Sequence, residues 1–414
     1  MPHNTLNWNW NIDAFDPYPP PNQGSVHLSH QQALQEMVHA FYAAPNEIVA
    51  PLTLEEAVNV LGGETPSPRI DDSKEVMDIS KTPLSKIFKY QQPGMPLNVG
   101  SALSSMQENL EKLNIKLPNR LFDFPEIKRN GDVMVGIEIE VENMNYKPLK
   151  HELMNDTLLL QISQILSQVW DQKGDTSLKK QGVEYVTKLG LQAKDAPAAL
   201  ALLRVYMATF FSKAEFSYRC GTHIHVNVRD FTVEQFINMV LLYVVFENMF
   251  YSIAGGDIRY KNIFCVPLRA SKSDLEELLK LIHKEKPTYQ QFRQVFTHFK
   301  KYMAYNLLPA GTPMGNGYPF GTVEFRHHKA EADPQVLTRW LQMILDIHQA
   351  AQQYSFEELK NKIFNLNTVS NYLQFAESIF KELPKEISNQ EIVNDMYTGS
   401  AFIKELFIIS KGAE

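Results

Sequence analysis

The chain has 414 residues, 44% of them hydrophobic and 21% charged, with a net charge of −7. That balance supports one large or two ordinary hydrophobic cores and argues against a basic nucleic-acid-binding chain, since no Lys/Arg stripe is interleaved with aromatics. Two cysteines, Cys220 and Cys265, can build neither a disulfide framework nor a zinc ribbon, so a reducing compartment is expected.

The opening MPHNTLNWNWNIDAFDPYPPPNQG has no basic or apolar leader pattern, so no secretory signal is expected. Residues 1–130 read as an accessory region: irregular over 1–25, then short helices at about 31–43, 54–61 and 102–114 separated by Pro-containing polar linkers. A denser pattern follows over 131–354: a strand at 133–142, a helix near 151–170, a strand in GVEYVTK and a helix at 196–213. A strand at 222–228 leads to a long apolar helix, opened by a Thr232–Gln235 capping box and closed by Gly255 and Gly256. Asn238, Glu247 and Asn248 interrupt that apolar run, which predicts a buried core helix rather than a membrane span. A Ser273–Glu276 box opens a helix at 274–286, another helix covers 288–304, and a Gly/Pro-rich loop covers 309–321. TVEFRHH is a strand, a helix starts at Pro334, and short helices over 355–414 form a C-terminal cap. The order is α+β, without internal repeats, and a cytoplasmic location is expected.

Four of these strands share an unusual polarity. In VGIEIEVEN, Ile137, Ile139 and Val141 alternate with Glu138, Glu140 and Glu142. Carboxylates about 7 Å apart on one strand face repel by about 2 kcal/mol per neighbouring pair at an effective dielectric near 20. THIHV places His223 and His225 on one parity, TVEFR does so with Glu324 and Arg326, and GVEYV opposes Glu184 to Val183 and Tyr185, with Asp175 and Ser177 in the turn before it. One antiparallel sheet whose polar face lines a cleft explains all four. Such a face gathers carboxylates, imidazoles and an arginine, the inventory for holding Mg²⁺ and nucleotide phosphates.

The motifs G-I-E-I-E-V-E, G-D-x-S-L with G-V-E-Y-V, C-G-T-H-I-H-V, K-Y-x-x-x-N (Lys301, Tyr302, Asn306) and G-T-V-E-F-R occur in an order that resembles the amidoligase family over about residues 133–350. These are glutamine synthetase-like and glutamate–cysteine ligase-like carboxylate–amine ligases. The resemblance implies an antiparallel sheet curved around a funnel-like active site, with helices on its outer side. It also implies ATP- and Mg²⁺-dependent amide bond formation through an acyl phosphate. Carried onto this chain, it makes Glu138, Glu140, Glu184, His223 and Glu324 metal ligands, with Glu142 outside the acidic pair. His225 would complete the metal site or touch nucleotide phosphate. Arg326 would hold phosphate or the substrate carboxylate, and Asn306 and Tyr302 would orient the substrate. Arg259 would act as an anion clamp, with Ser177 and Lys301 as further nucleotide contacts and Arg219 and His327 as lesser candidates.

The implied partners are small-molecule or peptide carboxylates and amines. Relatives in phages and fungi, some beside glutamine amidotransferases, make an ammonia-supplying amidotransferase a candidate partner and a host cytoplasm a candidate location; neither nucleic acid nor membrane is expected. Two other readings use the same residues. One is a non-catalytic assembly protein that keeps the fold, motivated by the Pro-rich N-terminal region. The other is a metal-dependent hydrolase built on His223, His225 and a carboxylate.

Overall fold

The computed structural model describes residues 75–411 except 92–96, 113–123, 145–155, 176–177, 180–181, 189, 212–213, 285–286, 314–316, 332 and 386. The run 1–25, the helices expected at 31–43 and 54–61, and Ser177 lie outside the described residues. All described residues belong to one contact unit, Ile70–Glu414.

Helices α1 (Leu84–Ile87) and α2 (Val99–Lys112) precede strand β1 (Met134–Val141). Next come α3 (Asp156–Leu166), β2 (Trp170–Gly174), β3 (Val183–Thr187), β4 (Leu191–Gln192), α4 (Ala196–Phe210) and β5 (Gly221–Asn227). Helices α5 (Val233–Ala254), α6 (Asp257–Tyr260), α7 (Lys272–His283) and α8 (Tyr289–Phe296) lead to β6 (Tyr305–Asn306), α9 (Leu308–Gly311) and β7 (Thr322–Lys329). The chain closes with α10 (Pro334–Gln353), α11 (Phe356–Phe364), α12 (Val369–Ile379) and α13 (Asn389–Lys411).

Among the described residues the strands form one seven-stranded sheet in the order β2-β3-β1-β5-β7-β6, with β4 added beside β1, and every strand pairing is antiparallel. The four polar-faced strands are therefore neighbours. Their apolar parity, including Ile137, Ile139, Tyr185, Ile224, Val323 and Phe325, is buried. Helix α5 packs against β7, with Tyr243 and Phe250 against Phe325, while α10 and α13 pack against α5. Burial of each such side chain contributes about 1.5–3 kcal/mol.

The expected funnel is not what forms. The sheet is neither closed nor strongly curled, and its path ends at two edges. Most of β2 is exposed and β6 spans two residues, so neither edge offers the other a long partner. The polar face is a patch on an open sheet backed by helices.

Helix α5 is long and apolar enough to cross a membrane, yet 83% of its most apolar window is buried inside the protein. A helix with neighbours on all sides reads as apolar all round. The Thr232–Gln235 capping box is present, and Gly255 ends the helix at φ 140°. Gly399 of α13 lets the two helices approach closely: a Cβ there would lie 2.5 Å from the Val244 and Val245 carbonyl oxygens.

Other expectations shift. Helix α7 starts from Ser271 without a side-chain cap, so Ser273 and Glu276 sit inside it. Helix α8 ends at Phe296, because a turn at Lys300–Met303 brings Tyr305 and Asn306 alongside β7. The C-terminal segment holds one helix of 23 residues rather than short helices alone.

Candidate metal centre on the polar face

Directly opposed residues in an antiparallel pair share a face. Glu138 opposes His223, Glu140 opposes Glu184, His225 opposes Glu324, and Glu324 opposes Asn306. Five strands thus deliver one cluster, and it is largely buried: Glu140, His223, His225, Asn306, Glu324 and Arg326 are each below 10% exposed. Glu138 and Glu184 are half-buried at its open side.

The contacts are dense. His223 Nδ1 lies 3.2 Å from Glu138 Oε2 and 3.4 Å from Glu324 Oε1, and its Nε2 is 3.8 Å from Glu140 Oε1. His225 Nε2 lies 3.3 Å from Glu138 Oε1 and 3.9 Å from Glu324 Oε1. Arg326 pairs with Glu324 and approaches His223 Nδ1 at 3.4 Å. Asn306 donates to Glu324 Oε2 at 2.6 Å, and the Gly221 amide donates to Glu140 Oε2 at 2.6 Å.

Burial and neighbouring charges together set the protonation states. Burial alone would raise the Glu138 carboxyl, but the His225 charge, then the hydrogen bond and charge of His223, outweigh it and hold it well below the usual range. Burial also works against Glu324, and Arg326, His225 and His223 together lower it. His225 is raised, because Glu324 and Glu138 overcome the burial that would lower it. Glu184 goes the other way. Burial, then the Glu138 charge and hydrogen bond, then Glu140 and Asp175, push it up to about 8.

Three groups bring their ligand atoms within 4.8 Å of one another: Glu138–His225–Glu324, Glu138–Glu184–His223 and Glu140–Asp175–Glu184. Glu138 joins the first two and Glu184 the last two, so they run as a row across β7, β5, β1 and β3. The buried His225 Nε2 has no hydrogen-bond partner, although it lies beside two carboxylates. Its Nδ1 lies 3.1 Å from Thr322 Oγ1, a contact that fixes the ring and aims Nε2 into the cluster. An orphaned imidazole nitrogen among carboxylate oxygens suits a divalent cation, and the all-oxygen triplet suits a hard one.

Residues 167–348 match the family described as "Putative amidoligase enzyme". The matched segment belongs to the amidoligase family. Membership supports a ligase-type enzyme in general terms, and the three groups give this amidoligase domain the donors for divalent cations. The match begins after β1, yet the sheet register seats Glu138 and Glu140 inside the same cluster. No curated protein matches the chain.

Other candidates lie elsewhere. Glu142 is buried, accepts the Lys179 amide at 2.7 Å and joins none of the three groups. Arg259 is 1% exposed and donates to the main-chain carbonyls of His327, Arg326 and Cys220. Lys301 is exposed, with Nζ 5.8 Å from the ring of Tyr302, itself exposed, and Arg219 sits over the Phe264 ring at 5.7 Å. His327 faces the core, where its Nε2 is 2.6 Å from the Tyr243 hydroxyl.

Sequence reasoning left Asp175 as a turn residue and passed over Thr322. The β2–β3 pairing returns Asp175 to Glu184. Gly221 carried a readable signal, since a glycine inside a strand pattern marks close approach. A Cβ there would lie 2.8 Å from His223 Nε2.

Proposed function

We propose that the domain is an ATP- and Mg²⁺-dependent carboxylate–amine ligase. The observation that carries this reading is the row of three overlapping carboxylate and imidazole groups ending at Arg326, on a domain of the amidoligase family. Two anions, a carboxylate and a nucleotide triphosphate, must meet for such chemistry, and the row supplies what lets them approach. Glu138, Glu140, Asp175, Glu184, His223, His225 and Glu324 would hold the cations. Bound there, Mg²⁺ would neutralise phosphate charge and polarise the γ-phosphoryl group.

The chain's own groups do the rest. Arg326, held by Glu324 and His223, presents a cation to the phosphoryl or carboxylate oxygens. Asn306 and the Gly221 amide fix the carboxylates of Glu324 and Glu140 before substrate arrives, which lowers the cost of organising the site. The substrate carboxylate oxygen attacks the γ-phosphorus and ADP leaves. The amine then attacks the acyl carbon, loses a proton and expels phosphate.

The test is calorimetric titration of Mg·ATP, followed by ADP release across carboxylate and amine mixtures, with Glu138→Gln as control. Mg·ATP binding lost in Glu138→Gln supports the reading. No Mg·ATP binding by the wild-type chain ends it.

A further inference from the structure

Strand β7 breaks its alternation where it carries Arg326. From Thr222 to Ile224 the β5 strand advances two residues, while β7 advances three, from His328 to Phe325. A bulge of this kind leaves main-chain groups without ladder partners. Here Arg259 meets them. From the short helix α6 its Nε donates to the His327 carbonyl at 2.7 Å, its Nη2 to the Arg326 carbonyl at 2.7 Å, and its Nη1 to the Cys220 carbonyl at 3.4 Å. One buried guanidinium thus joins the bulged stretch of β7 to Cys220, the residue just before β5, whose carbonyl also accepts the Ala330 amide.

Two glycines make room for it. A Cβ on Gly221 would lie 3.0 Å from Arg259 Nη2, and one on Gly255, at φ +140°, would lie 2.9 Å from Arg259 Cγ. The space is specific to this side chain, because a flat fork reaches three carbonyls that a single ammonium cannot.

We propose that Arg259 is a positioning residue: it braces the β7 bulge and so aims Arg326 at Glu324 and His223. This rests on the ligase reading only for what Arg326 then binds. The brace acts on the anion-binding end of the row, whereas Glu138, Glu140 and Glu184 sit on β1 and β3, which Arg259 does not touch.

Full-length wild type and Arg259→Lys are compared by hydrogen exchange over 323–329 and by calorimetry with Mn²⁺ alone and with Mg·ATP. Tyr243→Phe is the control, since it removes one hydroxyl from the core behind the same strand and leaves the Arg259 bonds in place. Arg259→Lys should exchange faster over 323–329 and lose about tenfold or more in Mg·ATP affinity, with Mn²⁺ affinity close to wild type. Tyr243→Phe should keep both affinities. Unchanged exchange in Arg259→Lys overturns the brace, and so does an equal affinity loss in Tyr243→Phe.

If Arg259→Lys does not fold, wild type decides. Mg·ATP must then protect 255–262 together with 323–329, and protection of the second alone overturns the proposal. If wild type binds no Mg·ATP, the ligase reading fails, while the exchange comparison still decides the brace.

Discussion

Asn306 selects which oxygen of Glu324 enters the cluster. Its amide nitrogen donates to Oε2 at 2.6 Å, while its own carbonyl oxygen accepts the Leu308 amide at 3.1 Å, which fixes the amide's orientation. Oε1 is thereby left to Arg326, His223 and His225. Replacing Asn306 with Ala frees the carboxylate to rotate. The expected cost is about 10–100-fold in Mn²⁺ affinity and about 1 kcal/mol in stability, measured by calorimetry and denaturant unfolding. Asn306→Asp should be worse, since it sets a like charge against Glu324.

Glu138 is shared by two of the three metal-ready groups and touches both histidines. Glu138→Gln should therefore reduce the number of Mn²⁺ bound, not only their affinity. His225, held up in part by the Glu138 charge, should titrate lower in the variant. Mn²⁺ stoichiometry together with an NMR titration of the His225 ring checks both, and an unchanged stoichiometry would count against the shared-ligand arrangement.

How far could the residues alone lead here? The alternation in β1 and β5 was legible because period 2 with one charged parity has few explanations, and the two strands pair from Val135–Val226 to Ile139–Thr222 without a register shift. GTVEFRHH was legible only up to Arg326. A bulge set by a partner strand and by Arg259 leaves no local mark, so the placement of His327 and His328 needed the fold. Asp175 looked like any turn aspartate until β2 paired with β3. The funnel failed for a related reason, because sheet curl depends on edge lengths and helix packing that no single strand encodes.

Glu184 gives the site a pH signature. Its folded value of about 8 lies above the ordinary carboxylate range, so between roughly pH 4.5 and 8 the unfolded chain has released a proton that the folded chain keeps. The folded state then binds more protons, and this group's contribution makes the metal-free protein less stable as pH rises through that window. Glu138 and Glu324, both lowered, act oppositely: the stability they supply is present above the ordinary carboxylate range and is lost in acid. Cation binding must expel the Glu184 proton, so the rise in melting temperature on adding Mg²⁺ should be larger at pH 8.5 than at pH 6.5. In Glu184→Gln the metal-free protein should melt a few degrees higher at pH 8.5, and Mg²⁺ should raise it by less than it raises the wild type, since only the Glu138–His225–Glu324 group is left whole. Equal Mg²⁺ shifts at both pH values in the wild type would contradict a protonated Glu184.

Two glycine-to-alanine changes should separate stability from site geometry. In Gly399→Ala the new methyl meets the Val244 and Val245 carbonyls at 2.5 Å, and main chain cannot swing aside as a side chain does. Helices α5 and α13 must part, costing about 1–3 kcal/mol, yet no residue of the cation row lies on either helix. Mn²⁺ affinity should survive in the folded fraction. In Gly221→Ala the methyl meets the His223 ring at 2.8 Å and Arg259 at 3.0 Å, and the His223 side chain, the nearer of the two, can yield by rotating. Stability should fall less, while Mn²⁺ affinity drops, because His223 turns away from Glu138 and the Glu140 carboxylate loses its aligned amide donor. Denaturant unfolding and Mn²⁺ calorimetry on the pair read the two effects apart. If Gly221→Ala bound Mn²⁺ as wild type does, His223 would have no part in holding the ion.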